Sequence, residues 1–353
     1  MIGNNVTKRP TIKQIAQEAS VSPTLVSFYL NGRQPNKIAQ KTKEKIAATI
    51  ERLDYRPSAA ARTLRNGRSR TIGLMIGQIA GEYSSFYAQS LLYEVLKYGY
   101  QLLISVTRFN LEEERKCLEN LLDHQADGIL YHLFLKPTPK MLPALKHYPI
   151  LQRTSVNPDF NSLIPGIAPS ILQAVQQCRK QGIKKIAGIC LGTGPENSWR
   201  AGFIAGAEAA GIESVCLDGD YSSFAELYEA LRETGAELAI TGSSTTVARL
   251  LHYRETTRRT DCPKFIYSYT LPCDYISHEA IAGVIVNSFE DEVCDSIKRL
   301  IAMIEKGPEP VEHLTTPTRF LNREELSAYY RKQKANPYYD TVVNEREIKR
   351  IWD

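Results

Sequence analysis

The sequence predicts an all-α helix-turn-helix head joined to an α/β body built as two doubly wound parallel-sheet lobes. Three observations predict it. Capped, helically spaced segments fill the first fifty residues. A short alanine-rich stretch and a basic, glycine-containing linker follow them. From Thr71 onward apolar runs alternate with amphipathic stretches of helical length, the pattern of parallel strands with crossover helices.

The first helix is announced by Thr11-Ile-Lys-Gln14, a capping box in which the threonine hydroxyl and the glutamine side chain satisfy opposite backbone N–H groups. Ile12, Ile15, Ala16 and Ala19 then recur at helical spacing. Ser22 is placed to cap a second helix, with Pro23 in the first turn, where its missing N–H leaves no bond unmade. A turn this tight forces the two helices to cross steeply. Val21, Val26 and Leu30 form the expected inward face, leaving Pro23, Thr24, Ser27, Phe28 and Asn31 outward. A third helix near 40–53 offers Ile46, Ile50 and Leu53 to close a small core.

Charge separates the two parts. Residues 1–70 hold 14 of the 44 Lys and Arg and 4 of the 39 Asp and Glu, a net of +10. The remainder holds 30 against 35, a net of −5. A basic head on an acidic body points to a negatively charged partner at one end. The hydrophobic fraction of 43% and charged fraction of 24% are those of an ordinary soluble chain. No membrane span, secretory signal or C-x-x-C pair is read from the sequence. The seven scattered cysteines are expected as free, mostly buried thiols in a cytoplasmic protein.

"TIKQIAQEASVSPTLVSFYLNG" followed by "YRPSAAARTLRNGRSRTIGL" resembles the head and hinge of LacI/GalR (lactose-repressor) family transcriptional regulators. The resemblance extends from residue 11 to about 320 and is most specific in the first 75 residues. It implies a head at 10–57, a hinge helix and linker at 58–70, and an effector-binding and dimerisation body at 71–320. Lobe one would comprise about 71–155 plus 285–320 and lobe two about 158–282, resembling periplasmic binding proteins, with 321–353 an extension whose role is left open. The implied activity is that of a repressor, not an enzyme, binding near-palindromic operator DNA as a homodimer under the control of a small molecule. Implied DNA contacts are Thr11, Ser22, Pro23, Thr24, Leu25, Ser27, Phe28, Asn31, Tyr55, Ala61, Leu64 and Arg65. Leu64 would be the wedge that enters the minor groove; residues 58–66 are too short to hold a helix in water unaided.

Departures from the family pattern carry information. An arginine usually stands where Phe28 is, and a small polar residue where Leu25 is. Phenylalanine cannot make arginine's paired bonds to guanine but can pack on thymine methyls. In the body, Ser244-Thr245 stands where an Asn-Asp pair is common. "IYSYTLPCD" replaces a Phe-Asp-Asp loop, and Trp199, with Arg200 beside it, occupies the place of an effector-gripping arginine. Tyr83, Tyr87, Trp199, Arg200, Ser244 and Tyr269 are therefore the expected effector-binding residues. Tyr83, Phe86, Tyr87, Trp199 and Tyr269 would make a cleft more aromatic than a sugar site requires. The ligand, a sugar or an aromatic metabolite, stays open, as does a body that takes none.

Enzyme and metal readings find no support. "GICLGTGPENSW" lacks both the Gly-Lys-Ser/Thr ending and the dinucleotide-binding spacing. No G-x-S-x-G or H-E-x-x-H occurs, and the six histidines share no ligand-like spacing. No cofactor is expected.

Overall fold

The structure is a computed structural model. It describes residues 10–30, 38–56, 63, 67–79, 82–132, 145, 148–153, 156–190, 198–219, 221–269, 278–287, 289–307 and 310–333. Two compact units divide at Ser69–Arg70.

In the first unit, α1 (Ile12–Glu18), α2 (Pro23–Leu30) and α3 (Gln40–Arg52) enclose one small core. Ile15, Ala16, Ala19, Val26, Ile46 and Tyr55 are buried, with Ile12, Val21, Tyr29, Leu30, Ile50 and Leu53 packed around them. Fully burying an aliphatic side chain contributes roughly 1.5–3 kcal/mol, so each member of so small a set matters.

The second unit is organised on eleven strands. Its first half contains β1 (Thr71–Ile76), α4 (Glu82–Lys97), β2 (Gln101–Val106), α5 (Leu111–Asp123), β3 (Gly128–His132), β4 (Ile150–Gln152) and β5 (Asn161–Gly166). Then come α6 (Ala168–Lys180), β6 (Lys185–Ile189), α7 (Ser198–Ala210), β7 (Glu213–Leu217), α8 (Phe224–Glu233), β8 (Leu238–Thr241), α9 (Ser244–Thr256), β9 (Lys264–Tyr269) and β10 (Ile281–Asn287). The chain ends its described course with α10 (Phe289–Lys306), β11 (His313–Asn322) and α11 (Arg323–Gln333). Strand order is β2-β1-β3-β4-β5-β11-β10-β9-β8-β6-β7. Every neighbouring pair is parallel except β10 with β11.

Both faces of each half are covered, as parallel sheets require. In the first half Ile72, Leu74 and Ile76 pack beneath α4 and α10, while Met75, Ile129 and Tyr131 face α5. In the second, Ala187, Phe265 and Tyr267 face α8 and α9. Ile186, Ile240 and Ile266 face α6 and α7.

Two strands carry the join, and neither reads as a strand in the sequence. In β5, Asn161 and Ser162 pair with β4 and Ser162–Gly166 pair with β11. Pro165 therefore lies beyond the end of the β4 ladder, where no N–H is asked of it. In β11, residues up to Pro317 pair with β5, and from Thr318 onward they pair with β10. Pro317 thus sits where the strand changes partners. The segment 161–166, expected in lobe two, joins the first half of the sheet, and β10 stays in the second half to Asn287. The reason is that strand exchange, not sequence distance, decides membership. Past residue 320, α11 packs on β10 and β11, with Leu326 buried and Tyr329 against the core; residues 334–353 lie outside the described set.

Candidate nucleic-acid interface and effector cleft

The local chemistry of the head sets its outward face. Thr11 N–H donates to Gln14 Oε1 at 2.8 Å and Gln14 N–H donates to Thr11 Oγ1 at 3.3 Å, so the capping box starts α1 as expected. Ser20 adopts a left-handed backbone (φ 55°), and Val21 N–H bonds Ala16 O at 2.9 Å, which closes the turn. Ser22 Oγ then accepts from Leu25 N–H at 3.1 Å to begin α2. This hydroxyl is a helix cap.

With Val26 fully buried and Tyr29 and Leu30 against the core, helical geometry leaves Ser22, Pro23 and Thr24 exposed. Leu25, Ser27 and Phe28 are half-buried, and Phe28 lies outside the core cluster. The aromatic pair is thus divided: Tyr29 packs inward and Phe28 does not. Lys13, Lys41 and Lys45 are exposed on α1 and α3; the two α3 lysines, in "QKTKEK", were not among the predicted phosphate contacts. Glu18 and Arg52 pair across α1 and α3.

Tyr55, predicted as a DNA contact, sits in the core at 9% exposure, held by its N–H to Ile50 O at 3.0 Å. Burial pushes its phenol above the usual range. In this structure its ring is a packing group, because Asp54 turns the chain back (φ 43°) over the three helices. Asn31, Ala61, Leu64 and Arg65 lie outside the described residues.

In the body, Trp199 opens α7 and stacks on Phe203, ring centroids 5.9 Å apart and planes 5° from parallel. The indole also lies over Gly242, where an added Cβ would come within 2.9 Å of it. Glycine there permits the close approach. Ser243 caps α9 by accepting from Thr246 N–H at 3.1 Å, and the half-buried Ser244 follows. Trp199 and the start of α9 therefore share one corner. Arg200 turns to Asp218, 2.9 Å away. The side chains of Tyr83, in the first turn of α4, and of Tyr269, at the end of β9, lie outside the described set.

Tyr87 is a correction. Expected to line the cleft, it is fully buried in the first-half core. Positions 87, 91 and 95 fall on one stripe of α4, and all three are buried. Phe86 is half-buried and packs against the same cluster. Burial holds the Tyr87 phenol high, with Arg153 pulling the other way.

Arg153 and Glu292, which pair at 1% exposure each, were not singled out from the sequence. Their only signal is an arginine ending the apolar run "YPILQR" and a glutamate within "FEDEV". Among the described residues no three His, Cys, Asp or Glu gather where they could hold a metal. No described helix is long and apolar enough to cross a membrane. Six cysteines are free thiols, Cys178 and Cys190 buried and the other four partly buried; Cys273 lies outside the described set.

Residues 11–58 match the family model "Bacterial regulatory proteins, lacI family". The chain is 35% identical over 178 residues to a sucrose operon repressor of Klebsiella pneumoniae, covering 46% of this chain and 53% of that protein. It is 32% identical over 181 residues to catabolite control protein A of Priestia megaterium, covering 50% of this chain and 54% of that one. The matched stretches thus span about half the length of these curated relatives. A crystal structure of the lac repressor dimer bound to operator and the anti-inducer ONPF aligns with a TM-score of 0.74 at 16% identity, over 89% of this chain and 98% of that one. At that identity the likeness speaks for the fold: a helical head followed by a periplasmic-binding-protein-like body.

Proposed function

Through its head this chain belongs to the lacI family of bacterial regulatory proteins, and we propose that it is a sequence-specific DNA-binding transcriptional repressor. It engages a near-palindromic operator as a homodimer, and a small molecule in the cleft of the body modulates its affinity. The observation that carries this reading is the outward face of α2. Pro23 and Thr24 are exposed and Phe28 is left out of the core, on a head of net charge +10.

Thr24 bonds a base edge or phosphate, and Phe28 packs on thymine methyls, so the half-site depends less on guanine at that register. Lys8, Arg9, Lys13, Arg33, Arg62, Arg65, Arg68 and Arg70 neutralise phosphates, and affinity falls steeply with salt. Leu64 wedges the minor groove at the operator centre. A matched pair of heads reads half-sites about one helical turn apart.

Two features support pairing of chains. Leu92, Tyr93 and Leu96 are exposed on α4, and Ile104 and Val106 are exposed on the edge strand β2 that it packs against. Contiguous apolar surface of this kind marks a protein interface. The family's body reading supports the effector, with Trp199 lying against Gly242 just before α9, where Ser244 stands, and Arg200 tied to Asp218.

Selection of bound duplexes from a random pool tests the central reading. The expected result is a two-fold-symmetric site whose enrichment falls as salt rises. A chain with no preference among duplexes in dilute buffer overturns it. A thermal-shift panel of sugars, nucleobases and aromatic metabolites tests the effector, since a specific ligand stabilises the body by mass action. A blank panel leaves a repressor with a ligand-free body.

A further inference from the structure

Arg153, immediately after β4, heads the fully buried side chains by size. A lone buried guanidinium is costly, and its surroundings answer that cost from several elements. One terminal nitrogen pairs with the Glu292 carboxylate in the first turn of α10. Another donates to the carbonyl of Leu163 in β5. The Tyr87 phenol on α4 lies beside it, with Ser296 of α10 close to the same phenol. Ser296 Oγ also donates to the Glu292 carbonyl at 2.7 Å.

All of these groups belong to the first half of the sheet or the helices on it. The remaining partner does not. The second oxygen of Glu292 accepts from Asn287 Nδ2, and Asn287 is the last residue of β10, in the other half. Between Asn287 and Phe289 the chain leaves one lobe for the other. The Glu292 carboxylate is therefore shared by a guanidinium anchored in one lobe and an amide on the final strand residue of its neighbour.

The other two described crossings, where β5 gives way to α6 and where β11 changes partners, are tied differently. Thr318 donates to Gly166 O at 2.8 Å and lies 2.7 Å from Ser170 Oγ. Those groups are uncharged hydroxyls and a carbonyl. Only the 287–292 crossing, among those described, is fastened by a buried charge.

We propose that Arg153, Glu292 and Asn287 are positioning residues that fix the angle between the two lobes. A buried ion pair is a poor source of stability against an apolar replacement, but its hydrogen bonds are directional. Apolar packing at the crossing would tolerate small rotations; a guanidinium forked between Glu292 and the Leu163 carbonyl, and a carboxylate shared with the Asn287 amide, meet in one arrangement. The lobe angle is the variable that hinge-type regulation changes. The network thus biases the body toward one state, and a signal that reopens the angle must break the Asn287–Glu292 bond. This inference concerns the body alone and holds whether or not the head binds DNA.

The test uses the full chain without DNA. Nitroxides are placed as unnatural side chains at the exposed Asn120 on α5 and Lys180 on α6. Labelled chain is diluted into unlabelled chain, and pulsed electron resonance reads the intrachain distance. The parent gives one narrow distribution. Asn287→Ala, which leaves the ion pair in place, and the double variant Arg153→Met/Glu292→Leu, which replaces it by apolar groups, each broaden the distribution about twofold. Each variant is measured well below its own melting temperature, so the broadening is not unfolding. Arg153→Lys, which keeps the charge and loses the fork, falls between. Parental widths in both Asn287→Ala and the double variant overturn the proposal.

Discussion

In the head, the described ion pairs stand in water: Glu18 with Arg52 and Asp54 with Arg56, every side chain at least 37% exposed. In the body, Arg153 and Glu292 pair at 1% exposure each. The difference follows from size. A three-helix core of six buried residues has no interior in which a charge can be surrounded by enough partners. A sheet of eleven strands with helices on both faces has one, at its crossing. The head's described ion pairs thus stay at the surface, as most of the body's do, and one pair of the body is drawn into the scaffold.

The largest effect expected from this contrast is at Glu292. Glu292→Ala leaves Arg153 buried without its counter-charge and costs the body about 3–5 kcal/mol, while the head's unfolding stays put. Calorimetry resolving the two units checks it, and a body that unfolded as the parent does would show that the pair is not buried in solution. Next is Ile46, fully buried where α3 closes the head. Ile46→Ala costs the head about 2–4 kcal/mol, enough to abolish operator binding while the body's transition stays unchanged. Retained binding would mean that the head's core is more redundant than its size implies.

The same contrast governs what the sequence could tell. Head signals are local: Thr11 caps Gln14, Ser22 caps Leu25, and Val26, Ile15 and Ile46 follow from spacing. Strands such as β1 and β10 announce themselves as apolar runs because both faces are covered. By contrast, β5 and β11 each hold a proline, and β11 is rich in threonine. They are strands because they meet at a crossing, and only tertiary structure supplies that. The inward packing of Tyr87 is legible locally, in its i, i+4, i+8 stripe with Leu91 and Val95. The Trp199 corner was half legible: the indole stood out, but the glycine that seats it, Gly242, is far away in the chain. Arg153 and Glu292 were illegible, since nothing near either one points to the other.

Two smaller effects sharpen the comparison from the head's side. Thr11→Ala removes one member of the capping box and costs the head about 1 kcal/mol, read as a lower head transition. Arg52→Gln removes the solvent-exposed partner of Glu18 and costs no more than about 0.5 kcal/mol, since exposed pairs gain little over hydration. That small difference should vanish in strong salt, where screening erases what attraction remains. A loss of several kcal/mol at Arg52, or one that persisted in salt, would mean that the head too depends on a charge shielded from water, and the division between the two units would fail at its weakest point.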